Sequence, residues 1–270
     1  MNNFVLRQDK DGAATLLLNR PEKLNALTKE VFEDLEEHLD AIARQSKTIG
    51  LVMLRGAGGN FSSGYDMAEV LELIKAHAKP HYQAEVIEKL AKLPQPVISA
   101  VEGCCSTGAL ELALAGDLIV AAESARFSDS YARWGLTPVW GLSLRLPHRV
   151  GTAKANEMML TCREYSGRDA QAMHLVNLCF ADDRFEAELA GLANNILTNS
   201  WYANRVNKRA LMESDELPLH DAHALEIFKN EGLAPDAGTR VGNFLKRKSA
   251  AKGAVAGGAP KEAGSKSDGS

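Results

Sequence analysis

Two stretches of small and polar residues carry the groups in this chain that are best suited to chemistry. Residues 60–66 read Asn-Phe-Ser-Ser-Gly-Tyr-Asp, and residues 102–111 read Glu-Gly-Cys-Cys-Ser-Thr-Gly-Ala-Leu-Glu; each follows an apolar run. Small residues let a ligand approach backbone N–H groups closely. Where the second stretch enters a helix, the exposed N–H groups and the helix dipole favour an anion or a developing oxyanion.

Glu111 is the carboxylate that the second stretch offers. It lies three residues after Gly108, so at about 3.6 residues per turn it returns to nearly the same face of the helix. A helical glutamate is commonly solvated, and that interpretation stays open beside a catalytic one. Loops that follow strands are enriched in functional residues, which favours catalysis.

Alternating strands and helices must position these loops. Residues 4–7 and 13–18 flank an Asp-Gly turn and predict a hairpin. Residues 28–43 have apolar side chains at helical spacing, with Thr28 as the N-cap. Buried strands are predicted at 50–55, 96–101 and 118–122. This alternation indicates an α/β core with crossover helices.

The second half of the chain is predicted to be mostly helical. Helix-forming segments with apolar spacing lie at 153–160, 167–173, 185–197, 203–212, 217–230 and 235–245. Residues 249–270 are rich in Lys, Ala, Gly and Ser. They offer little to bury, so we expect a disordered tail.

Composition excludes several classes of protein. The 270 residues carry a formal charge of −4 and 6% aromatic residues, which argues against nucleic acid as a partner. The four cysteines lack metal-binding spacing, so we expect no metal and a reducing compartment. The N-terminus shows no apolar or Arg-rich targeting pattern, and no apolar run reaches the ~20 residues of a membrane span. We therefore expect a cytoplasmic protein.

The order and content of several motifs resemble the crotonase (enoyl-CoA hydratase/isomerase) family. The motifs are NRPEKLNAL at 19–27, FSSGYD at 61–66, QPVISAVEG at 95–103, STGALELALAGDLIVAAESARF at 106–127, WGLTP at 134–138 and RVGTAKANEMMLT at 149–161. The resemblance covers about residues 3–248. It implies a ββα spiral core at 1–200, a helical trimerisation region at 201–248 and the tail at 249–270.

In that family, two backbone N–H groups hold the carbonyl oxygen of an acyl-CoA thioester. The resemblance assigns them here to Tyr65 and Gly108, although Thr107 and Ala109 replace the glycines that usually flank Gly108. Preorganised donors of this kind stabilise the enolate that forms during thioester chemistry.

Family hydratases use two glutamates, and only the first is present here, as Glu111. Tyr131 stands where the second belongs. A phenol with a reference pKa near 10 is a poor base at neutral pH, though it can donate a proton. Asp129 lies two residues away, about 7 Å along an extended chain, and compensates only if the backbone shifts.

The resemblance also implies contacts with coenzyme A. These fall on Lys23, Leu24 and Ala26, on Ser63, Gly64, Asp66 and Met67, and on Phe244 and Arg247 near the C-terminus. A packing role for Phe244 and a solvated helix end for the basic cluster 246–248 remain the alternatives.

Three functions stay open. The first is an enoyl-CoA hydratase or isomerase without a cofactor, apart from the coenzyme A of its substrate. The second is an acyl-CoA decarboxylase or hydrolase, suggested by Tyr131. The third is a non-catalytic acyl-CoA-binding homologue. In each case the family implies a homotrimer or homohexamer and an acyl-CoA partner.

Overall fold

The computed structural model describes residues 3–79, 81–215, 217–229 and 231–256. Its strands are β1 (Val5–Lys10), β2 (Ala13–Leu18), β3 (Leu51–Gly56), β4 (Val97–Val101), β5 (Cys104–Ser106), β6 (Leu118–Ala122), β7 (Arg126–Ser128), β8 (Tyr165–Ser166) and β9 (Leu178–Phe180). Its helices are α1 (Lys29–Ala43), α2 (Met67–Lys75), α3 (His81–Ala91), α4 (Gly108–Ala113), α5 (Leu142–Thr161), α6 (Gly167–Ala172), α7 (Phe185–Leu197), α8 (Trp201–Ser214), α9 (Leu219–Lys229) and α10 (Ala237–Ala256).

The larger of two sheets has the order β1-β2-β3-β4-β6-β9. The predicted hairpin is present: β1 and β2 are antiparallel, and the remaining pairs are parallel. Every residue of β4 is buried, as expected for a parallel strand covered on both faces. The predicted strands 50–55, 96–101 and 118–122 correspond to β3, β4 and β6.

A smaller sheet, with the order β5-β7-β8, was not predicted. The chain enters it from the larger sheet twice, passing from β4 to β5 and from β6 to β7. After β3, an isolated parallel bridge between Ser62 and Cys105 extends it again. Each circuit thus places one strand in each sheet, which produces the predicted spiral of two strands and a helix.

Helix α1 covers one face of the larger sheet. The Thr28 side chain caps it, accepting a hydrogen bond from the Val31 N–H at 3.4 Å, as the sequence predicts. Its apolar stripe is buried and consists of Val31, Phe32, Leu35, Leu39 and Ile42. Because the stripe repeats at helical spacing, the periodicity alone identified the buried face.

The described chain forms two compact units, divided between Leu217 and Pro218. This boundary lies after the one predicted at residue 200, because α8 packs onto the first unit. The Trp201 ring lies where a Cβ on Gly50 or Gly12 would stand. The Lys208 ammonium pairs with Asp117 at 2.8 Å and donates to the Gln95 carbonyl at 3.1 Å.

The C-terminal prediction needs one correction. Helix α10 continues to Ala256, whereas disorder was predicted from residue 249. The segment contains four alanines between 250 and 256, and alanine is the strongest helix former. Residues 257–270 of the predicted tail lie outside the described residues. Within the part of the chain that is described, no helix is long and apolar enough to cross a membrane.

Candidate active site

Three loops leave the smaller sheet side by side. Cys105 of β5 pairs in parallel with Ser62 on one side and with Phe127 of β7 on the other. Beyond these residues the three loops stay close: a Cβ on Gly64 would stand 3.5 Å from the Gly108 nitrogen, and the Ser130 N–H donates to the Thr107 hydroxyl at 3.3 Å. The carboxyl ends of parallel strands meet at one edge of a sheet, and this edge is a common place for a site.

The predicted oxyanion donors lie next to each other. A Cβ on Gly64 would stand 2.7 Å from the Ser106 carbonyl oxygen and 3.5 Å from the Gly108 nitrogen, and Gly64 has φ +102°. Both facts require glycine at position 64. Among the hydrogen bonds of the described residues, neither the Tyr65 nor the Gly108 N–H has a protein acceptor. The pair therefore can serve an oxygen of a ligand.

Thr107 holds a backbone conformation that is rare for a β-branched residue, with φ 57° and ψ −112°. Its N–H donates to the Ser128 carbonyl at 2.9 Å, and its hydroxyl accepts from the Ser130 N–H at 3.3 Å. Such strain persists only where surrounding contacts hold it. The ψ angle of Thr107 orients the following peptide, so this strain directs the Gly108 N–H.

The side chain of Tyr65 is anchored away from its N–H. Its hydroxyl donates to Glu69 Oε2 at 2.7 Å and accepts from Gln83 Nε2 at 3.0 Å. Burial and the Glu69 carboxylate together raise the pKa of the Tyr65 phenol. Tyr65 therefore stays a neutral anchor between α2 and α3, and its contribution to chemistry is its backbone.

Glu111 is completely buried, with 0% of its surface exposed. Its Oε1 accepts from the N–H groups of Trp140 at 2.9 Å and Leu142 at 3.0 Å, and its Oε2 accepts from the Tyr131 hydroxyl at 2.5 Å. Burial raises the pKa of Glu111, while these three donors oppose the shift. A buried carboxyl with a raised pKa is suited to move protons near neutral pH, and the solvated alternative is wrong.

Trp140 connects the parts of the site. A Cβ on Gly108 would stand 2.6 Å from its Cζ3 atom, and its ring meets the Tyr65 ring edge-on at 5.1 Å. Its own N–H holds Glu111. The predicted oxyanion donors and the carboxylate therefore all contact Trp140.

Tyr131 stands at the position predicted for the second glutamate, and Asp129 lies two residues before it. The Tyr131 hydroxyl is bound to Glu111, and its N–H donates to Asp129 Oδ1 at 3.0 Å. Burial, with the charge of Glu111, raises the pKa of Tyr131 further above its ordinary value. Asp129 is 1% exposed, and burial raises its pKa. Asp129 is therefore buried, and its hydrogen bond is to the backbone of Tyr131 rather than to Glu111.

The first group of predicted coenzyme A contacts lies on two neighbouring segments, residues 23–26 and residues 63–67. The Ser63 N–H donates to the Leu24 carbonyl at 2.9 Å, and the Leu27 N–H donates to the Gly64 carbonyl at 2.8 Å. Lys23 and Leu24 are exposed, Ala26 is buried, and Met67 is half exposed.

The carboxylate of Asp66 already has protein partners. It caps α2 through the Ala68 N–H at 3.0 Å and lies 3.4 Å from the Arg20 guanidinium. The Asp66 carboxylate therefore stabilises the start of α2.

The remaining two predicted contacts belong to the second unit. Phe244 and Arg247 lie on α10, and the Phe244 ring is 63% exposed. Within the described residues, Phe244 is therefore mostly exposed. A contact of either residue with coenzyme A stays a prediction.

Fold and site together place two backbone N–H groups that have no protein acceptors among the described residues, those of Tyr65 and Gly108, near a buried carboxylate, Glu111. Residues 8–233 match the model of the family described as Enoyl-CoA hydratase/isomerase. This chain therefore belongs to that family, is an enzyme of it, and has its crotonase-type fold.

Individual relatives agree with this assignment. A 1,2-epoxyphenylacetyl-CoA isomerase of Escherichia coli is 30% identical over 92% of this chain and 98% of its own length. A probable peroxisomal enoyl-CoA hydratase 1 of Arabidopsis thaliana is 29% identical over 91% of each chain. The crystal structure of an enoyl-CoA hydratase from Bacillus anthracis superposes with a TM-score of 0.86 at 28% identity, over 91% of this chain and 97% of that one.

Sequence reasoning missed Trp140 and Leu142. Both act through backbone N–H groups, which every residue except proline carries, so side-chain type gave no signal for them. The one available sign was Gly141 between them, which has φ 107°. A glycine directly before a helix, preceded by a large aromatic residue, indicates a tight turn that points N–H groups in one direction.

Proposed function

We propose that this chain hydrates enoyl-CoA thioesters. The thioester oxygen lies between the N–H groups of Tyr65 and Gly108, and Glu111 moves the proton of the attacking water. One observation supports this most strongly: the two unpaired N–H groups and the buried Glu111 are held around the same residue, Trp140.

The proposed chemistry follows from where charge develops. Water adds to the β-carbon of the enoyl group, and electrons move onto the thioester oxygen to form an enolate. Two fixed donors favour that charge, and losing one such donor typically costs about 10²–10³ in rate. These steps need proton transfers and hydrogen-bond donors alone, so we propose no cofactor beyond the coenzyme A of the substrate.

The test is hydration of crotonyl-CoA and of longer trans-2-enoyl-CoAs by the wild-type chain and by Glu111→Gln. We expect the substitution to lower kcat by about 10²–10⁴, the usual contribution of a general acid or base. Asp34→Asn is the matched control, since Asp34 also accepts backbone N–H groups, those of Phe4 and Val5, away from the site. Equal rates for wild type and Glu111→Gln contradict the assignment of Glu111.

Double-bond isomerisation is the second candidate. Tyr131 replaces a carboxylate and donates to Glu111, which suits a reaction in which one base shuttles one proton. The Escherichia coli relative, named 1,2-epoxyphenylacetyl-CoA isomerase, shows that an isomerase of a different acyl-CoA occurs among the relatives. Supplying 3-enoyl-CoA and 2-enoyl-CoA separately distinguishes the two: an isomerase interconverts them, whereas a hydratase produces the 3-hydroxyacyl-CoA from the latter. Release of CO₂ or free coenzyme A instead would indicate a decarboxylase or hydrolase.

We further propose that coenzyme A binds along two neighbouring strips of the chain. These consist of Lys23, Leu24 and Ala26, and of Ser63, Gly64, Asp66 and Met67. Their support is the pair of backbone bonds that join the strips. Phe244 and Arg247 are proposed as contacts from α10. Calorimetry with coenzyme A on Lys23→Ala and Arg247→Ala tests each group separately.

We propose a homotrimer or homohexamer as the working assembly. The second unit exposes large apolar side chains, including Leu219 (86%), Phe228 (86%) and Phe244 (63%). Exposed apolar surface of this kind is common at interfaces. Light scattering gives the mass of the assembly, and a monomer at micromolar concentration contradicts the proposal. A cytoplasmic location also stays a prediction, since one relative is named as peroxisomal.

A further inference from the structure

One turn of the chain supplies two of the donors that hold Glu111. The Trp140 N–H donates to Glu111 Oε1 at 2.9 Å, and the Leu142 N–H donates to the same oxygen at 3.0 Å. Between them lies Gly141, with φ 107° and ψ 12°. Glycine places few limits on its own backbone angles, so contacts from outside the turn are needed to fix the direction of both N–H groups.

Arg145 contacts both peptides of this turn. Its backbone N–H donates to the Gly141 carbonyl at 2.9 Å, and its guanidinium Nη1 donates to the Trp140 carbonyl at 2.9 Å. In a trans peptide the C=O and the N–H point in opposite directions. Arg145 holds the Gly141 carbonyl, so the N–H of that same peptide keeps its direction. This N–H belongs to Leu142 and binds Glu111.

The guanidinium of Arg145 lies directly against the turn. A Cβ on Gly141 would collide with Nη1, so position 141 leaves room for the guanidinium only as glycine. The Arg145 side chain is 23% exposed. A guanidinium is planar and presents its nitrogens in fixed directions, so it can hold one carbonyl while a second nitrogen binds elsewhere.

That second nitrogen connects the turn to helix α3. Arg145 Nη2 pairs with Glu88 Oε2. The same helix carries Gln83, whose Nε2 donates to the Tyr65 hydroxyl at 3.0 Å. Helix α3 therefore contacts Tyr65, which carries one predicted oxyanion donor, and also Arg145, which holds the turn at Glu111.

From these contacts we infer that Arg145 is a positioning residue, which holds the turn 140–142 so that two backbone N–H groups reach Glu111. The inference rests on the proposed hydration, in which Glu111 moves a proton. Arg145 acts through the turn and not on the substrate. Without its guanidinium the two donors lose their fixed direction, and donors are what stabilise the ionised form of a buried carboxyl group.

The first test compares two arginines that each donate to a backbone carbonyl. Arg145→Met removes the guanidinium from the turn. Arg205→Met is the matched control, since Arg205 Nη1 on α8 donates to the Ser46 carbonyl at 3.0 Å. For crotonyl-CoA hydration we expect kcat of Arg145→Met to fall about 10- to 100-fold with KM within about threefold, as for a misplaced catalytic group. Arg205→Met should match wild type, and equal kcat in all three proteins overturns the inference.

The pH profile separates positioning from a general loss of stability. Burial raises the pKa of Glu111 and its backbone donors oppose the shift, so loosened donors leave this pKa higher. We therefore expect the acidic limb of the kcat/KM profile of Arg145→Met at higher pH than in wild type. Tyr131 and Asp129, the other titratable groups that act on Glu111, are the same in both proteins. An unshifted limb contradicts the role of Arg145.

A double-mutant cycle shows whether Arg145 acts through Glu111. Residues that work as a unit have non-additive effects on rate, so in a Glu111→Gln background Arg145→Met should change kcat by less than about twofold. The same fall of kcat in both backgrounds would mean that Arg145 acts elsewhere. Arg145→Lys keeps the charge but not the planar fork, and its kcat should lie between those of Arg145→Met and wild type.

A milder variant keeps the test decisive if circular dichroism shows that Arg145→Met is unfolded. Glu88→Gln weakens the hold of α3 on the guanidinium and leaves the turn itself unchanged. The Glu88 side chain is 46% exposed, so we expect a fall of kcat of about two- to fivefold, typical of an exposed ion pair. The fall should disappear in the Glu111→Gln background, and its persistence there overturns the inference.

Failure of the proposed function gives a different result from failure of this inference. Absence of hydration by wild type contradicts the function, and thermal unfolding then tests Arg145. The Tm gain of Glu111→Gln over its parent should rise more steeply with pH in the Arg145→Met background, because a higher folded-state pKa loses more stability as pH rises. Equal slopes in the two backgrounds contradict the positioning role.

Discussion

The hydroxyl of Tyr131 donates a hydrogen bond of 2.5 Å to Glu111 Oε2 in the buried interior of the site. The residue that replaces the expected carboxylate is therefore a direct partner of the one that remains. Because of this contact, the pKa of Glu111 depends on Tyr131. In a pair of glutamates both residues could move protons, whereas here Tyr131 holds the carboxylate of Glu111 in place.

Removing the Tyr131 hydroxyl is expected to shift the pH dependence of activity. The hydrogen bond from Tyr131 lowers the pKa of Glu111 against the effect of burial, so Tyr131→Phe raises it. If hydration needs ionised Glu111, the acidic limb of the kcat/KM profile moves to higher pH. Leaving a buried acceptor without its donor also costs about 1–3 kcal/mol of stability. A pH profile that matches wild type would show that Glu111 does not limit activity.

The stability of the Glu111→Gln variant, relative to wild type, is expected to increase as pH rises. The folded-state pKa of Glu111 lies above its ordinary value of 4.5 because of burial. Its stabilising contribution is therefore complete below the unfolded pKa and is lost as pH rises through the folded one. Glu111→Gln does not titrate, so its Tm relative to wild type increases with pH above about 4.5. Thermal unfolding from pH 4 to 8 measures this, and a difference that shrinks with pH contradicts the raised pKa.

Adding one methyl group at Gly108 is expected to damage both folding and activity. The new Cβ would stand 2.6 Å from Trp140 Cζ3, and overpacking of this kind costs about 1–3 kcal/mol. Gly191 is the control because a Cβ there meets nothing within 4 Å. In helix α7, Gly191→Ala is expected to stabilise by about 0.5–1 kcal/mol.

A double-mutant cycle identifies the source of the Gly108 effect. In a Trp140→Leu background the collision is relieved, so Gly108→Ala should cost less than in wild type, with a coupling of about 0.5–3 kcal/mol. Additive effects on the free energy of unfolding would mean that Trp140 is not what excludes a side chain at position 108.

Lys208 is expected to be essential for the stability of the first unit. Its side chain is 7% exposed, and its ammonium lies 2.8 Å from Asp117 Oδ2. Lys208→Met leaves Asp117, whose side chain is 30% exposed, without its ion-pair partner. Breaking a fully buried pair costs about 3–5 kcal/mol, and the partial exposure of Asp117 places the expected cost below that range. Lys92→Met is the control, since the exposed pair with Glu88 contributes about 0–1 kcal/mol. Urea unfolding measures both, and equal effects would place α8 outside the cooperative unit.

Local patterns predicted much of the fold. The Asp-Gly hairpin, the capped α1 and the apolar runs of β3, β4 and β6 depend on neighbouring residues, so periodicity was sufficient to identify them. Strands β5, β7 and β8 were missed because they are two or three residues long. Segments of that length are stabilised by their partners and have no periodicity of their own. The helix predicted at 153–160 extends back to Leu142 across a break at Gly151. Because glycine is a poor helix former, the prediction began the helix after it.

By itself, the sequence determined the family, the two loops, Gly108 and Glu111, because each of these is recognised from residues that are neighbours in the chain. The tertiary structure alone decided what surrounds Glu111. Its donors come from residues 20, 29 and 31 positions away, and two of the three are backbone N–H groups that no residue type reveals. The position of Asp129 was likewise decided by a turn attached to Thr107. A carboxylate can be recognised in a sequence, but the burial and hydrogen bonds that set its proton affinity arise only when distant segments pack together.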